Sequence, residues 1–420
     1  MLKFSKQREN CVGCTACKSV CPVNCIEMIR DTEGFVYPMS SNKCIHCGKC
    51  EKICPIINKR EITNTEEKRA FAAVSRDEEI WRKSASGDAF SEICKVWCDD
   101  ETIICGAVWN GLSVQHKCVL GVDNIGQFRK SKYVESELMN CFSEIRCYLE
   151  KGVRVLFSGT PCQVSGLRSF LSKDYEKLLL VDIICHGVGS QDVFKWCISG
   201  IGEQFHGVVK RYEFRAKREK YEYNHLQRLS IGEKEIYLRN DQYMQLFLSQ
   251  TCLRPSCGEN CKFRNENRQG DITIADFKGL IEVFPNLLGS LYNYSSIVVN
   301  TQKGNGIIDK LKNEMTLKEC TIEDIKTFNP LFYRQTEPSK EREKFFKDFE
   351  SNPSVAIKKW TKPAEIARVT FKRKLFNHMP LFLRKLVLKV REGGITASEY
   401  DGCSLSHVLI VQNQMKNHGK

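Results

Sequence analysis

Two runs of cysteine with the same spacing open this sequence of 420 residues. Each run follows the pattern CxxCxxCxxxCP, and together they supply eight thiols, at Cys11, Cys14, Cys17, Cys21, Cys44, Cys47, Cys50 and Cys54. In bacterial two-cluster ferredoxins, three thiolates of such a run bind one 4Fe-4S cluster and the fourth binds the other cluster. The spacing therefore predicts one cluster on Cys11, Cys14, Cys17 and Cys54, and a second on Cys44, Cys47, Cys50 and Cys21. A zinc ribbon usually needs only two CxxC pairs, so the sequence favours iron–sulfur clusters over zinc. Cys25 and His46 lie outside the pattern, and we expect ordinary packing or surface positions for both.

A second group of cysteines lies farther along the chain, around a predicted βαβ unit. A strand at 153–157 is followed by a turn at 158–161, in which Thr160 is a good N-cap and Pro161 suits the first helical position. A helix at 162–171 and a strand at 178–184 complete the unit. The carboxyl ends of parallel strands meet at one edge of a sheet, where ligands bind. We therefore expect Cys162 and Cys185 to be neighbours at that edge.

Two later cysteines, Cys257 and Cys261, are available to complete a tetrathiolate site with this pair. The residues alone leave two alternatives open. Cys162 and Cys185 also suit a redox-active dithiol, since Cys162 lies at a helix N-terminus that favours a thiolate, or a pair of buried cysteines with no special role.

The remaining pattern defines the elements that must position these cysteines. Short apolar runs at 71–74 and 102–108 predict strands, and 89–97 and 135–149 predict helices. The sequence therefore predicts an α+β ferredoxin-like two-cluster module at 1–58, a polar linker at 59–69, a larger α/β domain at 70–340 and a basic helical extension at 341–420.

Charge and hydropathy limit the partners. The net charge is +13, and residues 358–391 carry +10 of it, so the body of the protein is close to neutral and is not a general nucleic-acid binder. Within that segment Leu375, Met379, Phe382, Leu386 and Val390 follow one helical face, which Pro380 interrupts. A packed helix is the favoured interpretation, and contact with an anionic membrane surface or an acidic partner is the alternative.

The sequence has no apolar run long enough to span a membrane and no signal-peptide core, so we expect a cytoplasmic location.

Four further motifs follow the ferredoxin runs in a fixed order: SGTPCQ at 158–163, DIICHGV at 182–188, LRPSC at 253–257 and DITIADF at 271–277. With those runs they resemble the coenzyme F420 hydrogenase/dehydrogenase beta-subunit family over roughly residues 1–340. The sequence is most similar to the bacterial branch found among polysaccharide-biosynthesis proteins.

The resemblance implies an FAD-binding iron–sulfur flavoprotein in which a third 4Fe-4S cluster lies beside the flavin. It places that cluster on Cys162, Cys185, Cys257 and Cys261. It places the flavin against residues of three short segments, which are Ser84, Ser86, Gly87, Lys132, Tyr133, Gly159, Thr160, Pro161 and Gln163. Three departures from the family pattern are the CxxxC spacing of the late pair, Asp88 in the place of a glycine, and Lys278 in the place of an aromatic residue.

These inferences lead to an expected function. We expect an oxidoreductase that receives electrons from a donor such as a ferredoxin or a reductase and passes them through its clusters to FAD. The acceptor is a sugar or sugar-nucleotide intermediate, a deazaflavin or another protein. The alternative is an electron-transfer adaptor with no substrate of its own, and a pocket at the flavin face would distinguish the two.

Overall fold

The computed structural model describes residues 8–58, 68–218, 226–336, 339–368 and 371–392. Most of the predicted linker at 59–69 and the last 28 residues lie outside these ranges. The strands, in chain order, are β1 Ile26–Arg30, β2 Val36–Ser40, β3 Arg69–Ser75, β4 Ile103–Asn110, β5 Ser113–Leu120, β6 Ser136–Glu137, β7 Val155–Gly159, β8 Leu178–Ile183, β9 Val209–Ala216, β10 Leu226–Ile231, β11 Lys234–Arg239, β12 Ile272–Asp276, β13 Ser295–Val299, β14 Met315–Cys320 and β15 Glu365–Ile366.

The helices separate these strands through most of the chain. In order they are α1 Ala16–Val20, α2 Lys49–Lys52, α3 Glu78–Arg82, α4 Ala89–Trp97, α5 Cys141–Glu150, α6 Pro161–Leu171, α7 Gln191–Gln204, α8 Gln242–Leu248, α9 Leu280–Val283, α10 Gln302–Glu314, α11 Ile322–Phe328, α12 Arg342–Ser351, α13 Pro353–Trp360, α14 Phe371–His378 and α15 Leu381–Glu392.

A sheet of nine strands forms the centre of the molecule, in the order β14-β3-β13-β12-β8-β7-β4-β5-β6. Its middle strands β12, β8, β7 and β4 are parallel. On one side the pairs β12–β13, β13–β3 and β3–β14 are antiparallel, and on the other side the pair β4–β5 is antiparallel. Apolar residues of α4 and α10 pack on one face, and those of α5 and α6 pack on the other. Burial on both faces explains why β7 and β8 read as continuous apolar runs. The larger domain is therefore α/β, as its alternating pattern indicates.

The predicted βαβ unit is present as β7, α6 and β8. The two strands pair in parallel, with Phe157 opposite Leu180. Pro161 occupies the first position of α6, and the backbone N–H of Thr160 donates to Oε1 of Gln163 at 2.9 Å. These contacts set the start of α6 and fix the position of Cys162.

The predicted helix at 135–149 is shorter than the sequence pattern indicates, because α5 begins only at Cys141. Ser136 and Glu137 instead form β6 against β5, and the buried carboxylate of Glu135 pairs with Arg254. Tertiary contacts thus override the local helical pattern of this segment.

The ferredoxin-like module packs directly on the larger domain. Its hairpin β1–β2 carries Arg30, which pairs with Glu137, and the turn of the hairpin carries Glu33, whose carboxylate binds Arg342 with one N–O distance of 3.1 Å. The hydroxyl of Ser190 donates to the carbonyl of Glu33 at 2.6 Å. The module is therefore held from both sides of its hairpin.

A second, antiparallel sheet in the order β15-β11-β10-β9 lies beside the first. Aromatic residues of α12, among them Phe345 and Phe349, are buried in the core that β9–β11 and α7 share. Residues 342–366 therefore belong to this core, although the sequence places them in the C-terminal extension.

Farther on, α14 and α15 leave Phe382 and Leu386 exposed at 69% and 58%, and the ammonium of Lys385 donates to the carbonyl of Asn286 at 3.2 Å. The side chain of Val390 lies outside the description.

Candidate functional site

The first cysteine loop lines a small pocket. Its thiol lining consists of Cys11, Cys14, Cys17 and Cys54, which is the crosswise set that the spacing predicts. Gly13 and Thr15 adopt positive φ, which turns the backbone tightly around the thiols. Burial raises the pKa of the Cys14 thiol well above its ordinary value, and the neighbouring thiols of Cys17, Cys54 and Cys11 raise it further. Each thiolate of this group would destabilise the charge of the others, and a cationic metal centre would remove that repulsion.

The second loop brings its cysteines toward the end of α1. Cys21 follows α1, and Cys50 lies on α2. Burial raises the pKa of Cys50, and the nearby thiol of Cys47 raises it further. Cys25 is buried between two members of this set, because its sulfur lies 3.4 Å from that of Cys21 and its thiol also interacts with Cys44. This residue is thus part of the second group's surroundings, while His46 is exposed in the loop.

The third group assembles at the carboxyl edge of β7 and β8. Cys162 lies in the first turn of α6, where the hydroxyl of Thr160 is 3.1 Å from its sulfur, and Cys185 follows β8. The backbone N–H of Val188 donates to the sulfur of Cys257 at 3.4 Å. Burial raises the pKa of Cys162 well above its ordinary value, and the thiols of Cys185, Cys261 and Cys257 raise it further. The structure therefore brings all four cysteines together.

Arg254 lies between the first and third groups. Its side chain is 2% exposed, and it pairs with the buried carboxylate of Glu135. Its Nε donates to the carbonyl of Cys11 at 2.7 Å, and its Nη2 donates to the carbonyl of Val36 at 2.8 Å. Burial opposes the charge of Arg254, but Glu135, Tyr37, Cys11 and Cys257 hold its pKa above the ordinary value. One guanidinium thus faces thiols of two separate groups. Its position three residues before Cys257, inside the LRPSC motif, is the only sequence signal for this role.

The loop that the resemblance assigns to the flavin is held by internal hydrogen bonds. The hydroxyl of Ser84 donates at 2.8 Å to the carbonyls of Trp81 and Ser86, and that of Ser86 donates to Tyr294 at the same distance. The N–H of Gly87 donates to the hydroxyl of Ser295 at 3.0 Å. These hydrogen bonds hold the shape of the loop.

The basic-aromatic element, Lys132 and Tyr133, is half-buried. The ammonium of Lys132 donates to three carbonyls, those of Phe128, Arg129 and Lys130, at 2.9–3.3 Å. The ring of Tyr133 stacks on Phe247 with 4.9 Å between the ring centres. Gly159, Thr160, Pro161 and Gln163 form the start of α6 and set the position of Cys162.

Lys217 contacts the loop at 84–88, and the sequence motifs do not identify this contact. The ammonium of Lys217 donates to the carbonyls of Trp81 and Ser86 at 2.7 Å and 3.1 Å. Burial lowers the pKa values of Lys132 and Lys217 to about 7 each. Asp88 lies among these cations and is buried, which raises the pKa of its carboxyl to about 6. Carboxylates oppose the effect of burial on these lysines, since Asp88 and Asp276 raise the pKa of Lys217 and Glu213 raises that of Lys132.

Comparison with known proteins finds family matches for two regions of the chain. Residues 10–57 match the 4Fe-4S dicluster domain. The N-terminal region is a ferredoxin-type 4Fe-4S dicluster domain. Residues 152–325 match the family that describes the C-terminal part of the coenzyme F420 hydrogenase/dehydrogenase beta subunit. No curated protein matches the chain. Among solved structures, the chain is similar to one from the xenon-derivatised F420-reducing NiFe hydrogenase complex of Methanosarcina barkeri. The two are 15% identical with a TM-score of 0.39, and the match covers 71% of this chain and 91% of that chain.

The comparisons confirm the two-cluster prediction and the relation of the central region to this beta-subunit family. The chain is an iron–sulfur electron-transfer protein of the oxidoreductase type. Within the described residues, no helix is both long and apolar enough to cross a membrane.

Proposed function

We propose that the chain relays electrons between a protein donor, such as a ferredoxin or a reductase, and a flavin-linked acceptor. Twelve thiols would hold three 4Fe-4S clusters, and lysines around the loop at 84–88 would hold FAD. When bound, the clusters supply single-electron transfer and the flavin supplies conversion between single electrons and hydride.

The observation that carries the proposal is the contiguity of the three thiol groups. Cys50 of the second group is close enough to Cys17 of the first to raise its pKa, after the larger effects of burial and of the Cys11 and Cys54 thiols. Arg254 then joins the first group to the third, since it faces both Cys11 and Cys257. The chain therefore arranges its ligands as one series that begins near the surface at Cys47, which is exposed, and ends inside the α/β domain.

The donor set of the third group supports its assignment to a cluster. Four cysteines supply the ligand number that a 4Fe-4S cluster requires. The N–H of Val188 and the hydroxyl of Thr160 lie at sulfur and are available to stabilise thiolate charge. The CxxxC spacing is accommodated because a short turn, Gly258–Asn260, separates Cys257 from Cys261.

The fit to FAD rests on charge. Lys132 and Lys217 are half-buried cations whose pKa is lowered by burial, and a pyrophosphate would supply further negative charge. The serines of the loop do not contribute free hydroxyls, so the proposal gives Ser84 and Ser86 a shaping role. We expect Lys217→Gln to lower flavin content at unchanged iron content, and Lys151→Gln, on an exposed lysine, to leave both unchanged.

A non-catalytic adaptor remains the second candidate, and the internal hydrogen bonds of Ser84 and Ser86 favour it. Flavin content of the anaerobically purified protein separates the two. About one FAD per chain supports the oxidoreductase, while iron without flavin, even after incubation with FAD, supports the adaptor.

The resemblance to a polysaccharide-associated branch makes a sugar nucleotide the first acceptor to test. In the decisive experiment, reduced ferredoxin is mixed with the flavin-loaded protein and bleaching of the flavin band is followed. We expect Cys185→Ser to slow that bleaching and Cys147→Ser, on an exposed cysteine, to leave it unchanged. Equal rates in both variants would contradict the proposed series.

A further inference from the structure

Three cysteines that have no part in the proposed function lie together between α5 and the sheet. Cys105 on β4 and Cys118 on β5 are directly paired across the antiparallel ladder, so their side chains leave the sheet on the same face. Cys141 is the first residue of α5, which packs on that face. The three sulfurs all lie within 4.8 Å of one another, and those of Cys118 and Cys141 are 3.3 Å apart.

A fourth donor stands at the edge of this group. Glu144 lies one turn after Cys141 on α5. It is close enough to Cys118 that this thiol, after burial, raises the pKa of the Glu144 carboxyl. Residues three apart on a helix share a face, so Glu144 and Cys141 present their side chains to the same place. Cys105 and Cys141 are buried, while Glu144 is exposed and leaves a route from solvent.

The sulfur spacing indicates the kind of ion. Four ligands around a zinc ion at about 2.3 Å place sulfurs about 3.8 Å apart. The sulfurs of Cys118 and Cys141 are 3.3 Å apart, and no pair in the group is farther apart than 4.8 Å, so small side-chain movements would give the spacing that zinc requires. Three thiolates and one carboxylate also form a ligand number and type that zinc accepts, whereas the known 4Fe-4S sites use four cysteines.

We propose that Cys105, Cys118, Cys141 and Glu144 form a mononuclear zinc site, separate from the iron–sulfur sites. Binding of Zn²⁺ converts the three thiols to thiolates and releases their protons, with no change in oxidation state. The site ties the hairpin β4–β5 to α5. The next residue of α5, Phe142, lies beside Gly166, against which Cys14 of the first cluster group also packs. Zinc would therefore stabilise α5, which packs through Phe142 beside the residue of α6 that Cys14 contacts.

The test uses the full chain, purified anaerobically with its iron and then incubated with one equivalent of Zn²⁺. We expect about one zinc per chain, and zinc K-edge absorption fine structure with three sulfur neighbours near 2.3 Å and one oxygen neighbour. A shell of four sulfurs would overturn the proposal, because it would place the zinc in a ferredoxin loop. Failure to retain any zinc, or a Cys118–Cys141 disulfide in the freshly purified protein, would also overturn it.

Variants separate this site from the clusters. We expect Cys118→Ser to reduce zinc to less than about 0.1 per chain at unchanged iron content, with Cys147→Ser, an exposed cysteine on the same helix, as the matched control. Should Cys118→Ser fail to fold, Glu144→Gln replaces it, since an exposed residue tolerates the change. Glu144→Gln should lower zinc affinity in competition with a chelator while three sulfur neighbours remain. Loss of iron in Cys118→Ser, or undiminished zinc affinity in both variants, would refute the assignment.

Discussion

Replacement of Arg254 by glutamine should loosen the contact between the ferredoxin domain and the α/β domain. The guanidinium is buried and pairs with Glu135, which is 5% exposed. After the replacement, the nearest remaining cation that the structure records at this carboxylate is Arg30, at 3.9 Å. Removal of one partner from a buried ion pair costs about 3–5 kcal/mol, because the other charge is left without compensation. At about 2.1 cal/mol/K of unfolding entropy per residue, we expect a decrease in Tm of about 3–6 °C for a chain of this size.

The assay is the apparent Tm of the iron-loaded protein at one fixed scan rate, since cluster loss makes unfolding irreversible. The double variant Arg254→Gln/Glu135→Gln removes both charges and should recover most of the loss. Arg69→Gln, in an exposed pair with Glu319, is the control and should change the Tm by less than about 2 °C. Hydrogen exchange should rise in β1 and β2 of the single variant more than in β7 and β8. The reasoning is refuted if the single variant matches the unchanged protein, or if the double variant is no more stable than the single one.

Three further predictions concern single features. Burial raises the pKa of the Asp88 carboxyl to about 6 in the folded protein, whereas its value in the unfolded chain is about 3.9. Protonation of Asp88 therefore stabilises the folded state fully below about pH 4, and this contribution is lost as the pH rises through about 6. Asp88→Asn should therefore be more stable than the unchanged protein by up to about 3 kcal/mol at pH 7.5, with the difference narrowing toward pH 5. A constant difference in the free energy of unfolding across this range would contradict the prediction. The exposed Phe382 and Leu386 should bind anionic vesicles together with the nearby basic residues, and binding should weaken as salt rises. Phe382→Ser/Leu386→Ser should abolish sedimentation with vesicles, while absence of binding by the unchanged protein would support the packed-helix interpretation. Cys14→Ser and Cys47→Ser should each remove about four iron atoms per chain, measured by metal analysis; loss of all iron in either variant would show that the two groups are not independent.

Local spacing was sufficient to predict the ferredoxin loops, because three of the four ligands of each group lie within seven residues of chain. The βαβ unit was equally accessible, since Thr160 and Pro161 mark the helix start and the apolar runs on either side mark buried strands. Both features depend on contacts between residues that are near in sequence.

Long-range contacts account for what the sequence did not reveal. Cys105, Cys118 and Cys141 share no recognisable spacing, and only the pairing of β4 with β5 and the placement of α5 bring them together. Glu135 has a helical sequence context, yet its ion pair with Arg254 withdraws the segment before Cys141 from α5. The internal role of Ser84 and Ser86 likewise depends on carbonyls at 81 and 294 that the motif does not identify.

The number of clusters tests the central claim most directly. Iron and acid-labile sulfide are measured in the anaerobically reconstituted chain, together with Mössbauer spectra, for the unchanged protein and for Cys185→Ser. Three tetrathiolate groups predict about twelve iron atoms per chain, all in 4Fe-4S clusters, and a decrease of about four in the variant. A saturated value of about eight iron atoms, unchanged in Cys185→Ser, would contradict the third group and with it the proposed electron path into the α/β domain.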